Sequence, residues 1–282
     1  PAVLAWTAQH LAGWDAIDAV AVVDADCDVS PNLLAALGGA LTSSGAGAAQ
    51  ARYVVGNPSA SWLTALRWAA FALDNYVKPL ARSRVGLSCG LFGTGMAFRR
   101  DVVVRLPWHA FLLTEDYEYH LQLVEAGERV VFVPDASVAS AMPSSLRASR
   151  SQHARWEGGR LQLIRAYVPR MVRDGLRKRD AQRVNAATDR LVPPLTVLVP
   201  VTAALMAVAA LADRSGAAVA AAVVLAGQAV YVVGGLAIAR APARVWLALL
   251  AAPGLIAWKG VLLVQQAVRG RPSRWLRTKR TA

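Results

Sequence analysis

Three short stretches hold the residue types from which a reaction centre could be assembled. The first is Ala19-Val20-Ala21-Val22-Val23-Asp24-Ala25-Asp26-Cys27-Asp28, an apolar, β-branched run that ends in three acids. Such a run reads as a buried strand running out into a site. Asp24 and Asp26 stand two apart at its carboxyl end, where open α/β sheets place their ligands. Two carboxylates at that spot can share a hard divalent cation, which in turn holds an anionic diphosphate. A polar turn that uses Asp only for capping is the plainer alternative. The second stretch, Thr114-Glu115-Asp116-Tyr117-Glu118, opens a helix that runs to Glu125 and stops at Gly127. Its acids could simply complement the helix dipole, and with Tyr at 117 there is no capping box. The third is Gln152-His153-Ala154-Arg155-Trp156 in a basic amphipathic segment. Arg155 and Trp156 also suit an interfacial anchor, and His153 reads as a solvated helix residue.

Residues 86–98 form a glycine-rich approach to a short strand and include Gly93-Thr94-Gly95. No strand–loop–helix context surrounds them, so a dinucleotide site is a poor reading. Glycines there let backbone come close to a ligand, or else mark a bulged strand.

Alternating strands and helices must position these groups. A helix is expected over 3–12 and a strand over 19–23. A helix over 31–41 follows, with Ser30 as its N-cap and Pro31 at its first position. A strand over 49–55 ends at Asn57-Pro58-Ser59, which also caps the next element. The spacing of Trp62, Leu66, Ala69 and Leu73 predicts an amphipathic helix over 61–81. A short strand over 129–133 is closed by Pro134-Asp135, and 144–190 is helical. Residues 191–212 and 217–239 contain no charge, and each run is long enough to cross a bilayer. A third apolar run, 245–268, contains Pro253-Gly254 and Lys259. It is expected to break at that pair and re-enter or lie along the interface, with Lys259 snorkelling.

The net charge of +13 is unevenly spread. Residues 1–140 hold 9 Lys and Arg against 13 Asp and Glu, residues 141–190 hold 12 against 4, and 265–282 add six with no acid. Basic segments bracketing membrane-length apolar ones fit an anionic leaflet rather than nucleic acid, and Lys and Arg place the acidic lobe on the cytoplasmic side. Cys27 and Cys89 form no spaced cluster, which suits a reducing compartment and suggests neither a disulfide framework nor a zinc site.

Taken in order, Asp24-Ala25-Asp26, Thr114-Glu115-Asp116 and Gln152-x-x-Arg155-Trp156, followed by membrane helices, resemble the inverting family 2 glycosyltransferases. The likeness is to the membrane branch that holds cellulose, chitin and hyaluronan synthases and ceramide glucosyltransferases. It implies an α/β fold of the GT-A type, incomplete at its N-terminus, followed by interfacial and transmembrane helices. By that resemblance residues 1–140 are the C-terminal part of the catalytic domain and 141–190 are interfacial helices. Residues 191–268 would be a membrane region and 269–282 a basic tail. The resemblance further implies a nucleotide-sugar donor, a UDP-sugar first among them, and a glycan or lipid acceptor. Asp24 and Asp26 would bind the diphosphate through Mg²⁺ or Mn²⁺, and Asp116 would be the general base, ionised at its helix N-terminus. Glu115, Gly93 and Thr94 would bind substrate, Gln152 and Arg155 would hold the leaving diphosphate, and Trp156 would face the acceptor sugar. The first strand of that family is not seen in these residues, and a truncated fragment is expected. A metal-dependent nucleotidyl- or phosphotransferase with a membrane anchor, and a non-catalytic membrane scaffold, are the competing classes.

Overall fold

The computed structural model describes residues 2–11 and 16–269; the expected basic tail falls almost wholly outside them. A five-stranded mixed sheet forms the centre of the first lobe. Its strands are β1 (Ala19–Val22), β2 (Cys27–Val29), β3 (Ala48–Val55), β4 (Met96–Arg99) and β5 (Val130–Ser140), in the order β1-β4-β3-β5-β2. β3 runs parallel to β5; the other pairs are antiparallel.

The Asp24 strand is therefore an edge strand, not a buried one: among the described residues β1 pairs only with β4, and it is half-exposed along its length. One further expectation fails. Cys27–Val29, assigned no element from the sequence, forms the opposite edge, and β5 does not stop at Pro134-Asp135. A bulge opposite Ala51 and Arg52 lets β5 absorb Pro134 and continue to Ser140. Residues 23–26 thus carry the chain from one edge of the sheet to the other, across the end of β4.

Helix α1 (Ala2–Leu11) precedes the sheet, and α2 (Leu33–Ser44) covers one face of it. There Leu33, Leu37 and Leu41 pack on Ala49, Ala51, Ala97 and Val138. The residue before α2 is Asn32, without a side-chain cap. Ser30, expected as the cap, instead accepts a hydrogen bond from the Ser137 N–H at 3.0 Å and ties β5 down. The 61–81 helix is real but divided into α3 (Trp62–Ala72), a π-turn (Leu73–Val77) and α4 (Lys78–Arg84). Its cap is a Ser61–Thr64 capping box rather than Asn57-Pro58-Ser59. Asn57 instead joins β3 to the end of β5, its amide oxygen accepting from Met142 N–H at 2.8 Å.

α5 (Arg100–Arg105) leads to α6 (Glu115–Glu125). Phe98, Trp108 and Tyr119 cluster beneath α6, Trp108 and Tyr119 with ring centroids 4.1 Å apart. α7 (Leu146–Lys178) and α8 (Ala181–Asp189) then close over α6, burying Leu121 and Val124 against Leu163, Met171 and Ala186.

The apolar helices follow as α9 (Leu195–Leu211), α10 (Ser215–Ile238), α11 (Ala243–Ala248), a 3₁₀ turn (Leu249–Ala251) and α12 (Ala252–Arg269). Two segments, Ser215–Ile238 and Ala243–Val261, are long and apolar enough to cross a membrane. Val219, Val223, Val230 and Ile238 are exposed on the first of them, a surface suited to lipid. α9 is shorter than its uncharged run because Pro193 and Pro194 lie outside it. The helical interruption in the third run falls at Leu249–Ala251, before Pro253-Gly254, since a proline in a first turn costs no hydrogen bond. Lys259 does not snorkel: its Nζ donates to Thr196 Oγ1 of α9 at 3.1 Å.

Candidate active site

The 23–26 crossing leaves the sheet plane beside the glycine-rich loop, which exposes Asp24 and Asp26. The Asp24 backbone N–H donates to Thr94 Oγ1 at 3.0 Å. Ligand atoms of Asp24, Asp26 and Cys27 all lie within 4.8 Å of one another. Two carboxylate oxygens converging on one exposed point suit Mg²⁺ or Mn²⁺, and the Cys27 thiol adds a softer donor. The sequence reading did not give Cys27 this place, because its proximity depends on the sharp turn into β2.

Gln50, buried on β3, staples the loop to the sheet. Its Nε2 donates to Thr94 O and Ala51 O, each at 2.9 Å, and its Oε1 accepts from Phe92 N–H at 2.9 Å. Gly93 (φ +83°) and Gly95 (φ +66°) take left-handed conformations. A Cβ on Gly93 would lie 3.5 Å from Asp116 Oδ2, and one on Gly95 would meet Val138 Cγ2 at 2.7 Å. One loop therefore touches both the Asp24 turn and Asp116.

Asp116 is half-buried in the first turn of α6, its Oδ1 accepting from Tyr117 N–H at 2.8 Å. Burial, and then the neighbouring Glu115 carboxylate, push its carboxyl up to about 7. Desolvation outweighs the helix N-terminus here, so the expectation of a base fully ionised near neutrality is corrected. Glu118, the third acid of the turn, is structural: it accepts from Leu112 N–H at 2.8 Å and from the Tyr167 hydroxyl at 2.9 Å.

The Gln-x-x-Arg-Trp segment occupies the first turns of α7. Gln152 is buried, and its Oε1 accepts from Arg67 Nη1 at 2.7 Å. Arg155 is half-buried, with no hydrogen bond or ion pair among the described residues. Trp156 lies 6.4 Å from Phe71 and 5.7 Å from His153 between ring centroids. His153 is not solvated. It is packed between Trp156 and Trp258 and contacts Arg67 Nη2 at 3.1 Å. Burial, then the charges of Lys259 and Arg67, push its imidazole well below the usual range. α7 also reaches the start of α6: a Cβ on Gly159 would lie 2.6 Å from Thr114 Cγ2, so only glycine allows this approach.

Two further residues carried no signal in the sequence. Arg67 reads simply as a charged position on an amphipathic helix. Tyr53 shares a 2.7 Å hydrogen bond with Ser140 Oγ, and its hydroxyl is pushed up to about 12 by burial and by the Cys27, Asp24 and Asp116 charges around it.

A mixed sheet sets an Asp-x-Asp turn against a glycine loop and a half-buried acid. Residues 8–159, which include every candidate from Asp24 to Trp156, match the family described as glycosyltransferase like family 2, and the chain belongs to that family. It is similar to N-acetylglucosaminyltransferases of Sinorhizobium fredii (28% identical over 148 residues) and Mesorhizobium japonicum (26% over 148 residues). It is also similar to that of Bradyrhizobium diazoefficiens (28% over 148 residues). Each alignment covers 49% of this chain, and 36%, 35% and 30% of the respective relative. The chain thus matches about a third of the length of these relatives.

Proposed function

We propose that the chain transfers a sugar, N-acetylglucosamine in the first instance, from its UDP-activated form to a glycan or lipid acceptor with inversion. The reaction would take place at the cytoplasmic face of a membrane. The observation that carries this reading is the shared loop: Thr94 holds the Asp24 turn while Gly93 faces Asp116 Oδ2. Acids suited to a metal–diphosphate and an acid suited to a base then flank a single opening. The sugar is suggested by the names of the relatives, and the cytoplasmic side by the basic residues of 141–190.

The acceptor hydroxyl oxygen attacks the anomeric carbon from the side opposite the diphosphate. The bond from that carbon to the diphosphate oxygen breaks, and the hydroxyl proton passes to Asp116. Oδ1 is engaged by Tyr117 N–H, so Oδ2, the oxygen facing Gly93, receives it. A Mg²⁺ or Mn²⁺ ion held by Asp24 and Asp26 would supply positive charge to the diphosphate. The Arg155 guanidinium, without a partner among the described residues, adds charge to the same leaving group. Trp156 offers a flat face on which an acceptor sugar packs.

The test uses the full chain in lipid nanodiscs with Mn²⁺ and radiolabelled UDP-N-acetylglucosamine or UDP-glucose, reading label in lipid and oligosaccharide fractions. Metal-dependent transfer from the first donor is expected. Binding of nucleoside diphosphate without transfer to any acceptor fraction would overturn the reading.

A further inference from the structure

Arg67 on α3 is 5% exposed, yet no carboxylate pairs with it among the described residues. Its contacts are Gln152 Oε1 at 2.7 Å, the Met142 sulfur at 3.8 Å and His153 Nε2 at 3.1 Å. Its Nε is buried with no partner among the described residues. Burial alone lowers the guanidinium to about 10. His153, held neutral, brings no charge to offset it, and Lys259, close enough to act on both, adds a second positive charge. A buried, hydrogen-bonded cation without a counter-ion is costly to keep. Such an arrangement is understandable where the missing anion arrives with a ligand.

The direction of the Gln152 bond says which ligand. Arg67 can only donate, so the amide oxygen of Gln152 must face it, and the amide N–H₂ must face the other way. No hydrogen bond engages that N–H₂ among the described residues. A donor pair one helical turn before Arg155, which has no partner among the described residues, suits an acceptor-only, multiply charged group.

We infer that Arg67 is a positioning residue for the diphosphate of the nucleotide: it fixes Gln152 with its N–H₂ toward the phosphates and adds uncompensated positive charge behind it. The inference rests on the function proposed above and goes beyond it by assigning a residue outside the three sequence motifs. Arg67 acts through Gln152 and the local potential rather than by touching the reacting atoms.

The experiment titrates UDP and uridine, with Mn²⁺ present, into the full chain in nanodiscs. Wild type, Arg67→Met, Arg67→Lys, Gln152→Ala and the Arg67→Met/Gln152→Ala double variant are compared, each with its thermal midpoint. Arg67→Met should keep or raise the midpoint, since it removes a buried unpaired charge, while weakening UDP binding about tenfold or more. Uridine binding should not change, and Arg67→Lys should recover part of the loss. In the Gln152→Ala background the Arg67→Met effect should shrink, because the two act as a unit. UDP binding unchanged in Arg67→Met overturns the inference, as does an equal loss for UDP and uridine. Should Arg67→Met fail to fold, Arg67→Lys decides: wild-type UDP affinity there overturns the inference as well. Wild type that binds neither UDP nor another nucleoside diphosphate refutes the function itself, a result separate from the others.

Discussion

The pH dependence of turnover follows from the surroundings of Asp116. Its carboxyl is raised from an ordinary value of 3.8 to about 7 by burial and then by Glu115. A base must be ionised to accept the acceptor proton, so kcat/KM should rise with pH and reach half its plateau at about pH 7. One unit lower it should be roughly a tenth of the plateau, the slope of a single titration. Asp116→Asn keeps the shape but cannot take the proton. It should lose about 10²–10⁴-fold in kcat, or roughly 3–5 kcal/mol of barrier, with UDP binding nearly unchanged. Stability moves in the opposite sense. A folded-state value above the unfolded one favours the native state at low pH, and this contribution is lost as pH rises from about 4 through about 7. The span is worth on the order of 4 kcal/mol. Asp116→Asn should therefore lose less thermal stability between about pH 5 and pH 8 than wild type does. Glu115→Gln removes the second cause and should slide the acidic limb to lower pH. The assay is a pH series of labelled-sugar transfer on the full chain, with binding and melting measured in parallel. A flat kcat/KM between about pH 5.5 and 7.5, or near wild-type turnover by Asp116→Asn at pH 8, refutes the assignment.

Asp24→Asn and Asp26→Asn should each lower UDP affinity more than ~10-fold when Mn²⁺ is present, and EDTA should do the same to wild type; equal affinity with and without metal would refute the cation site. Gly95→Ala forces φ +66° on an L-residue and meets Val138 at 2.7 Å. It should cost about 1–3 kcal/mol of stability; Gly93→Ala, strained by φ +83° but with its nearest neighbour 3.5 Å away, should cost less and also reduce turnover; both are read by melting and kinetics side by side. Gly159→Ala should part α7 from Thr114, whose backbone nitrogen would stand 3.1 Å from the new Cβ; a fall in kcat of about tenfold or more without unfolding is expected, and unchanged turnover would show that the contact is dispensable.

The family was legible because the order of Asp-x-Asp, Thr-Glu-Asp and Gln-x-x-Arg-Trp in the chain is a signature, and most helices because apolar spacing survives in a single sequence. Tertiary pairing was not legible. Cys27-Asp28-Val29 has no strand pattern of its own and becomes a strand only because Ser140, Ala139 and Val138 lie opposite. The length of β5 was hidden by Pro134, which a bulge accommodates. His153 and Arg67 are 86 positions apart, so nothing local announced that one would bury the other. The value of Asp116 was misjudged for the same reason. A helix N-terminus is a local feature, whereas the desolvation that overrides it comes from the loop and helices packed around it.

α3 has two allegiances. Its Leu63, Leu66 and Ala69 share a core with Leu236, Val245 and Ala248 of the apolar helices, while Arg67 between them reaches Gln152 of α7. Gly235 approaches the π-turn so closely that a Cβ there would meet Leu73 Cδ2 at 2.3 Å. No seam exists along which the sheet-bearing part could be cut free, because a chain ending before α9 would bare one side of α3 to water. Two segments on that side, Ser215–Ile238 and Ala243–Val261, are long and apolar enough to cross a membrane, and a bilayer around them would act through their tilt on the backbone that carries Arg67.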